Sequence, residues 1–109
     1  TTVGPFTLYD VRPGGVTVET RSPEDFGLGR CTTEELVGGD PTHNAGAIRG
    51  VLVDGARNPY RDCLLLGAAL ALEVAGEEDA PQDAMARAAH AIDSGAAGRV
   101  LGSLAAFSA

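Results

Sequence analysis

Residues 64–72 are LLLGAALAL, an unbroken apolar run near the middle of the chain. Asn58 and Pro59 precede the run as a helix cap and a first-turn proline, and Gly76 follows it as a stop. We therefore predict one helix that begins at Pro59 and ends before Gly76. Because its middle is apolar all round, we expect this helix to be buried on every side. The rest of the chain offers little covering surface, so we expect further polypeptide or a partner chain to cover it.

Helix signals recur on both sides of this segment. Asp40 and Pro41 begin a helix that stops at Gly55, and its predicted inner face carries Ala45, Ile48 and Leu52. A third helix starts near residues 79–81, and its core-facing residues are Ala84, Met85, Ala88 and Ile92. Ser94 is the predicted cap of a final helix, whose inner face carries Val100, Leu101, Leu104 and Phe107.

The first third of the chain has a different character. Residues 6–9 and 16–20 alternate with period two around a turn at residues 12–15, which predicts a β-hairpin over residues 6–21. Ser22 then caps a single helical turn that ends at Gly27, and residues 32–35 form a capping-box pattern for another short helix that stops at residues 38–39. The chain is thus of the α/β class, as one hairpin followed by four or five helices. Because one hairpin and these helices cannot form a balanced α/β domain, we expect the chain to be part of a larger domain.

Composition and charge exclude several functional classes. The net charge is −7, and the eight basic residues are all arginines scattered singly along the chain. Nucleic-acid binding and polyphosphate binding need clustered positive charge, and a membrane surface needs a basic amphipathic stretch, so we expect none of these partners. The first residues lack the regions of a signal peptide, which favours a cytoplasmic protein. Cys31 and Cys63 form no C-x-x-C pattern, so two buried free thiols are favoured over a disulfide or a metal site.

The most tempting site is Gly38-Gly39-Asp40, because glycines before a helix can cradle a phosphate. Asp40, however, places a carboxylate where the phosphate would lie, so a structural helix cap is favoured. His43 and His90 have no convincing set of neighbouring ligands, and both are expected at a surface or an interface. The carboxylates mostly lie at helix starts or in loops, where capping and solvation explain them. They are Glu24, Asp25, Glu34, Glu35, Asp62, Glu77, Glu78, Asp79 and Asp93.

Five strings of the sequence, taken together and in order, resemble the C-terminal third of the anthranilate phosphoribosyltransferase family. They are PEDFGL at residues 23–28, ELVGGD at residues 35–40, NA at residues 44–45, RD at residues 61–62 and AIDSGA at residues 91–96. The resemblance implies that residues 1–109 form a single segment, the C-terminal portion of a nucleoside phosphorylase/phosphoribosyltransferase-like α/β domain. The family's N-terminal helical domain and glycine-loop region would then be absent from the segment.

The resemblance also implies a reaction. The family transfers a phosphoribosyl group from phosphoribosyl pyrophosphate to anthranilate in tryptophan biosynthesis, with Mg²⁺, usually as a homodimer. The family's glycine loop, its K-H-G-N segment and its Mg²⁺-binding Asp-Glu pair all lie upstream of the matched part, and Gly38–Asp40 matches a later G-G-D. No catalytic, cofactor-binding or metal-binding residue is therefore assigned here. One departure is Gly67, which stands where the family usually has asparagine.

Three hypotheses follow. In the first, the chain is the structural C-terminal portion of such an enzyme; it is inactive alone and works with the upstream part of the same enzyme or with a complementary chain. In the second, it is a non-enzymatic packing module derived from such an enzyme. In the third, the parent is a related transferase with a different acceptor. Since alanine and glycine dominate the apolar residues, we expect marginal stability for the isolated chain.

Overall fold

The computed structural model describes residues 1–108 and consists of a two-stranded hairpin followed by helices. The hairpin strands are β1 (Phe6–Arg12) and β2 (Gly15–Arg21), and two short 3-10 helices follow at Pro23–Phe26 and Glu34–Leu36. The four α-helices are α1 (Pro41–Leu52), α2 (Pro59–Val74), α3 (Pro81–Asp93) and α4 (Ala96–Ser108). The predicted α/β order of one hairpin and then helices is confirmed.

The hairpin forms where the alternating pattern predicts it. β1 and β2 pair antiparallel from Phe6 opposite Arg21 to Arg12 opposite Gly15. Pro13 and Gly14 make the turn, and Gly14 has a φ of 99°, which a glycine adopts without strain. Tyr9 lies opposite Val18 on one face of the hairpin, and both side chains are exposed. Among residues 1–108 this sheet has two strands only, so an apolar sheet face and both outer edges stay open.

The core lies where the other hairpin face and the first 3-10 helix meet α2 and α3. Phe26, Leu66, Ala69 and Ala84 form its buried cluster. Phe6 stacks on Phe26 with ring centroids 6.3 Å apart, so the start of β1 is fixed to this cluster. Alanines at the contact allow α2 and α3 to approach closely, which produces a small core with few large side chains.

The short helices follow their predicted caps closely. Gly27 ends the first one with a φ of 72°. At the second, Thr32 and Glu35 make the reciprocal capping-box bonds, with the Thr32 N–H donating to Glu35 Oε2 at 2.8 Å. This helix ends at Leu36 and not at residues 38–39, because Val37 is already extended with a ψ of 124°.

The prediction that α2 is buried on every side is wrong. Leu65, Leu66 and Ala69 are buried, whereas Leu64 is 40% exposed and Gly67, Ala68 and Ala71 are also exposed. The buried residues face α3 and the first 3-10 helix, and nothing else among residues 1–108 covers the opposite side. The sequence pattern is the one of a fully buried helix, but this part of the chain buries only one side of it.

Two further predicted faces are also wrong. In α1 the fully buried residue is Val51, while Ala45 and Ile48 are exposed, so the helix turns a different side inward. In α4, Val100, Leu104 and Phe107 are exposed, Phe107 to 90%, and only Leu101 of the predicted set is half-buried. Apolar residues on these two helices outnumber the positions that residues 1–108 can cover. The core face predicted for α3 is correct, with Ala84 and Ala88 buried and Met85 and Ile92 half-buried.

The predicted cap of α4 is wrong as well. Ser94 ends α3, since its backbone N–H donates to the carbonyl of His90 at 2.9 Å. The first hydrogen bond of α4 runs from the Arg99 N–H to the Gly95 carbonyl, so Gly95, with a φ of 77°, turns the chain between the two helices. Gly98 then lies against the end of α1, where a Cβ atom would stand 2.7 Å from the Leu52 carbonyl oxygen. This contact fixes the position of α4.

Candidate functional site

The turn before α1 is built as a helix cap. Asp40 Oδ1 accepts a hydrogen bond from the backbone N–H of His43 at 2.8 Å, as the cap prediction requires. The Asn44 side chain adds two bonds to Gly39, accepting from its N–H and donating to its carbonyl, both at 2.9 Å. Two of the backbone N–H groups that could hold a phosphate, those of Gly39 and His43, are therefore already bonded to side chains of the same turn.

The glycines of this turn serve close packing. A Cβ atom at Gly38 would stand 2.9 Å from Asn44 Oδ1, and one at Gly39 would stand 3.0 Å from the His43 ring. Since Asn44 is held by two hydrogen bonds, it has little freedom to move away. The Gly38–Asp40 motif is thus explained by the local packing of the cap without any bound ligand.

Tyr60 joins this turn to α2. Its hydroxyl donates a hydrogen bond to the Val37 carbonyl oxygen at 2.7 Å. Beside Tyr60 lies an open apolar cavity of about 290 Å³, whose lining includes Ile48, Cys63 and Leu64. The cavity therefore lies between α1 and α2, next to the cap.

A larger apolar groove runs along α2 and α3. Its volume is about 410 Å³, and its lining is mostly leucine and alanine, including Leu64, Ala68, Ala71 and Ala91. Arg87 is the only charged residue that lines it. A groove with this lining offers no acid, base or nucleophile for catalysis, and its chemistry suits the packing of another apolar surface.

The two histidines lie apart. His43 is in the first turn of α1 and His90 in the last turn of α3, and both are exposed. Nowhere in residues 1–108 do three His, Cys, Asp or Glu side chains come together as metal ligands. The described part of the chain therefore does not fit the Mg²⁺ ion that the resemblance implies for the family.

Most of the candidate carboxylates are engaged locally. Glu24 pairs with Arg30 at 2.6 Å, and Asp25 accepts from the Ser22 N–H at 2.7 Å. Hydrogen bonds from its own backbone N–H and from Arg30 lower the pKa of Glu24. Glu77 and Glu78 share Arg87, and these two hydrogen bonds raise the pKa of the Arg87 guanidinium.

Asp62 differs from the other carboxylates. Burial raises the pKa of its carboxyl, although the neighbouring Arg61 guanidinium acts in the opposite direction. Asp62 lies in the first turn of α2, one residue after a buried arginine. Among residues 1–108, Asp62 is the acid whose pKa burial raises, and no group of three potential metal ligands includes it.

The most buried charged group is Arg61, which the sequence analysis did not identify. Its side chain is only 4% exposed, and its Nη2 atom lies 2.9 Å from Asp93 Oδ1. Arg57 approaches the same carboxylate at 3.6 Å. The only sequence signal for the pair of Arg61 and Asp93 was the family resemblance, since Arg61 lies in the string RD and Asp93 lies in the string AIDSGA. The ion pair ties the start of α2 to the end of α3.

A second ion pair, also missed, ties the hairpin to α2. Arg21 at the end of β2 lies 2.7 Å from Glu73, and its guanidinium stands 5.7 Å from the Phe26 ring centroid. Burial acts to lower the pKa of Arg21, but hydrogen bonds to Glu73 and Glu19 outweigh burial and raise it. Together with the Arg61 pair, this contact holds the elements in register.

The order of one hairpin followed by four α-helices agrees with the class of domain to which a family profile assigns the chain. The profile of the "Glycosyl transferase family, a/b domain" matches residues 1–98, and the chain belongs to this family. No helix in residues 1–108 is both long enough and apolar enough to cross a membrane.

Within that family the chain is similar to anthranilate phosphoribosyltransferases. It is 46% identical to the one from Syntrophotalea carbinolica over 97 residues, which are 89% of this chain and 27% of the relative. It is 47% identical to the one from Methylobacterium nodulans over 99% of this chain and 32% of the relative. With the protein from Azospirillum brasilense the identity is 50%, over 93% of this chain and 28% of the relative. The chain thus spans about a third of the length of the curated relatives it matches.

Proposed function

We propose that this chain is the C-terminal portion of an anthranilate phosphoribosyltransferase of tryptophan biosynthesis, located in the cytoplasm. In this reaction the anthranilate amine attacks the anomeric carbon of phosphoribosyl pyrophosphate, so that a C–N bond forms as pyrophosphate leaves. The observation that carries the proposal is the identity of 46 to 50% to proteins of that name over at least 89% of the chain. Residues 35–40, 44–45 and 91–96, which carry the family resemblance, lie within the range that the family profile matches.

The role proposed for this portion is structural. Its described residues hold no cluster of catalytic or metal-binding side chains, so the proposal assigns Mg²⁺, phosphoribosyl pyrophosphate and anthranilate to the part of the family's length that the chain does not span. The open sides of the fold are the surfaces that this part would cover. They are the Tyr9 and Val18 face of the hairpin and the apolar groove along α2 and α3.

Energetics favour such a partner. The exposed leucines, valines and alanines of the groove and the hairpin face would each gain free energy on burial, at about 25 cal/mol for every Å² of apolar surface covered. The partner would be the upstream part of the same polypeptide or a complementary chain, and the whole enzyme would be a homodimer, as the resemblance implies.

The first experiment is native mass spectrometry of the purified protein, followed by anthranilate fluorescence with phosphoribosyl pyrophosphate and Mg²⁺. We expect a species heavier than the 11.1 kDa of this chain, because the upstream part of the enzyme or a complementary chain is bound to it, and we expect this complex, but not the chain alone, to consume anthranilate. A folded, inert species of 11.1 kDa would instead support the packing-module hypothesis.

A matched pair of variants tests the groove directly. Ala68 lines the groove and is exposed, so Ala68→Glu should leave the fold of the chain intact but place a charge in the proposed interface. We expect loss of the heavier species and of activity. Ala86→Glu, at an exposed position of α3 away from the groove lining, is the control and should change neither. Equal behaviour of the two variants would show that the groove is not the interface.

A further inference from the structure

Thr2 connects two cysteines that are far apart in sequence. Its side chain is fully buried, and its hydroxyl oxygen lies 3.2 Å from Cys31 Sγ and 3.3 Å from Cys63 Sγ. The Cys31 backbone N–H also donates to the Thr2 carbonyl at 3.1 Å, which fixes the two segments side by side. The N-terminal segment, the loop between the 3-10 helices and α2 therefore meet at one point.

The fold thus forms a thiol pair, Cys31 and Cys63. Because both sulfur atoms contact the same oxygen, they are no more than about 6.5 Å apart, the sum of the two contact distances. Both residues are free and only half-buried, so small molecules can approach them. Cys63 in addition lines the open apolar cavity beside Tyr60.

We propose that this thiol pair is a redox-sensitive site, which closes to an intramolecular disulfide on reaction with a low-molecular-weight disulfide. The thiolate of one cysteine attacks a sulfur of the small disulfide, forms a mixed disulfide and releases one small thiol. The thiolate of the second cysteine then attacks the protein sulfur of the mixed disulfide and releases the second small thiol. The protein loses two protons and two electrons, and the small disulfide gains them.

The geometry favours closure over a stable mixed disulfide. A second thiol a few ångströms away acts at a high effective concentration, so it resolves the mixed disulfide rapidly. Closure requires both Sγ atoms to leave the Thr2 hydroxyl and to approach each other to the disulfide bond length of about 2.05 Å. Disulfides of this kind in reducing compartments are transient and act as sensors.

Closure would tie the loop before the second 3-10 helix to α2. Cys63 lies one helical turn after Tyr60, whose hydroxyl holds the Val37 carbonyl of the cap turn. The disulfide would thus restrain the segment that leads into α1. This inference stands on the contacts of Thr2 and does not depend on the proposed transferase activity.

The test is equilibration of the purified protein in glutathione buffers of graded ratio, with intact-mass measurement of the acid-quenched sample. The effective concentration of the pair is measured in native buffer and again in concentrated guanidinium chloride. We expect a native value at least about tenfold higher than the denatured one, because the fold places the two thiols together. A native value equal to or below the denatured one would overturn the proposal.

Variants identify the atoms involved. Cys31→Ser and Cys63→Ser should each accept one glutathione and keep it, since no second thiol resolves the mixed disulfide. Thr2→Val keeps both sulfurs and the bulk of the threonine, and it should still close. If the native protein instead accumulates two glutathiones per chain, the thiols do not act as a pair and the proposal fails.

Discussion

Arg61 and Asp93 form an ion pair in which one partner is buried and the other half-exposed. The Arg61 side chain is 4% exposed and that of Asp93 45%, and Arg61 Nη2 lies 2.9 Å from Asp93 Oδ1. The second terminal nitrogen of Arg61, Nη1, is buried and has no hydrogen-bond partner within residues 1–108. The buried Arg61 guanidinium therefore depends on Asp93 for charge compensation more than an arginine at the surface depends on its partner.

Asp93→Asn should consequently destabilise the chain, because it removes the carboxylate that forms the ion pair with the buried guanidinium. Since Asp93 itself remains partly solvated, we expect a loss of about 2 kcal/mol in the free energy of unfolding, below the range for fully buried pairs. Urea unfolding measures it. Asp54→Asn, at an exposed loop position, is the control and should change the free energy of unfolding by less than about 0.5 kcal/mol. Equal losses for both variants would contradict the role of the pair.

Tyr60→Phe should loosen the cap turn before α1. The variant removes the hydroxyl that donates to the Val37 carbonyl at 2.7 Å and leaves the ring in place. We expect a loss of about 1 kcal/mol in the free energy of unfolding, together with faster amide hydrogen exchange over residues 37–44. Tyr9→Phe is the matched control, because the Tyr9 side chain is exposed on the hairpin. Unchanged exchange in the Tyr60 variant would show that the hydrogen bond does not restrain the turn.

Two glycines of α4 should respond to alanine in opposite directions. At Gly98 a Cβ atom would stand 2.7 Å from the Leu52 carbonyl oxygen, so Gly98→Ala must displace α4 from α1. We expect a destabilisation of about 1–3 kcal/mol, as for other overpacked contacts. At Gly102 a Cβ atom meets nothing within 4 Å, so Gly102→Ala should stabilise the helix by up to about 1 kcal/mol. Thermal unfolding measures the change in stability of each variant. A change of the same sign in both variants would contradict the packing of α4.

Stability should depend on pH through Asp62. Burial raises the pKa of its carboxyl in the folded state, so the folded chain binds this proton more tightly than the unfolded chain. Its ionisation therefore lowers stability above the folded pKa, and this penalty vanishes as the pH falls below the ordinary aspartate pKa of about 3.9. Asp62→Asn should then stabilise the chain near neutral pH and have little effect at low pH. The variant also loses an acid in the first turn of α2, which acts against this stabilisation.

Glu24→Gln should change stability near neutral pH in the direction opposite to Asp62→Asn. Hydrogen bonds from its own backbone N–H and from Arg30 lower the pKa of Glu24, so its contribution to stability is present near neutral pH and is lost as the pH falls through its folded pKa. The variant should therefore be destabilised at neutral pH and approach the parent chain in acid. Urea unfolding of both variants across this pH range measures the two trends, and parallel trends would contradict the assigned directions.

The starts of α1 and α2 could be predicted from the sequence because their causes are local. Asp40 accepts from the N–H three residues ahead, and Asn58 does the same at the start of α2. Pro41 and Pro59 fix the backbone of the first turn in each case. Such contacts depend on neighbours in the sequence, so a pattern of a few residues is sufficient to predict them. The cap function of Gly38–Asp40 followed from the same argument.

The packing faces of α1, α2 and α4 could not be predicted in this way. Periodicity shows which residues share a side of a helix, but it does not show what that side contacts. Ile48 and Phe107 lie on apolar stripes and are nevertheless exposed, since the described part of the chain offers nothing to cover them. Gly67 is likewise exposed, and a Cβ atom there would meet nothing within 4 Å.

The long-range polar contacts were also beyond sequence reasoning. Arg61 and Asp93 are 32 residues apart, and Thr2 and Cys63 are 61 residues apart. No local motif links either pair, and a buried arginine is rare enough that composition predicts a surface position for it. Only the three-dimensional arrangement of α2, α3 and the N-terminal segment brings these side chains together.

The open edges of the hairpin have a consequence for handling the protein. Within residues 1–108 neither β1 nor β2 has a strand on its outer side, so each edge presents unpaired N–H and C=O groups next to exposed Val11 and Val16. A second copy that pairs along one edge exposes a new edge of its own, so growth of the assembly has no geometric end point. In concentrated solution the chain should therefore polymerise through its strands unless another strand occupies these edges first.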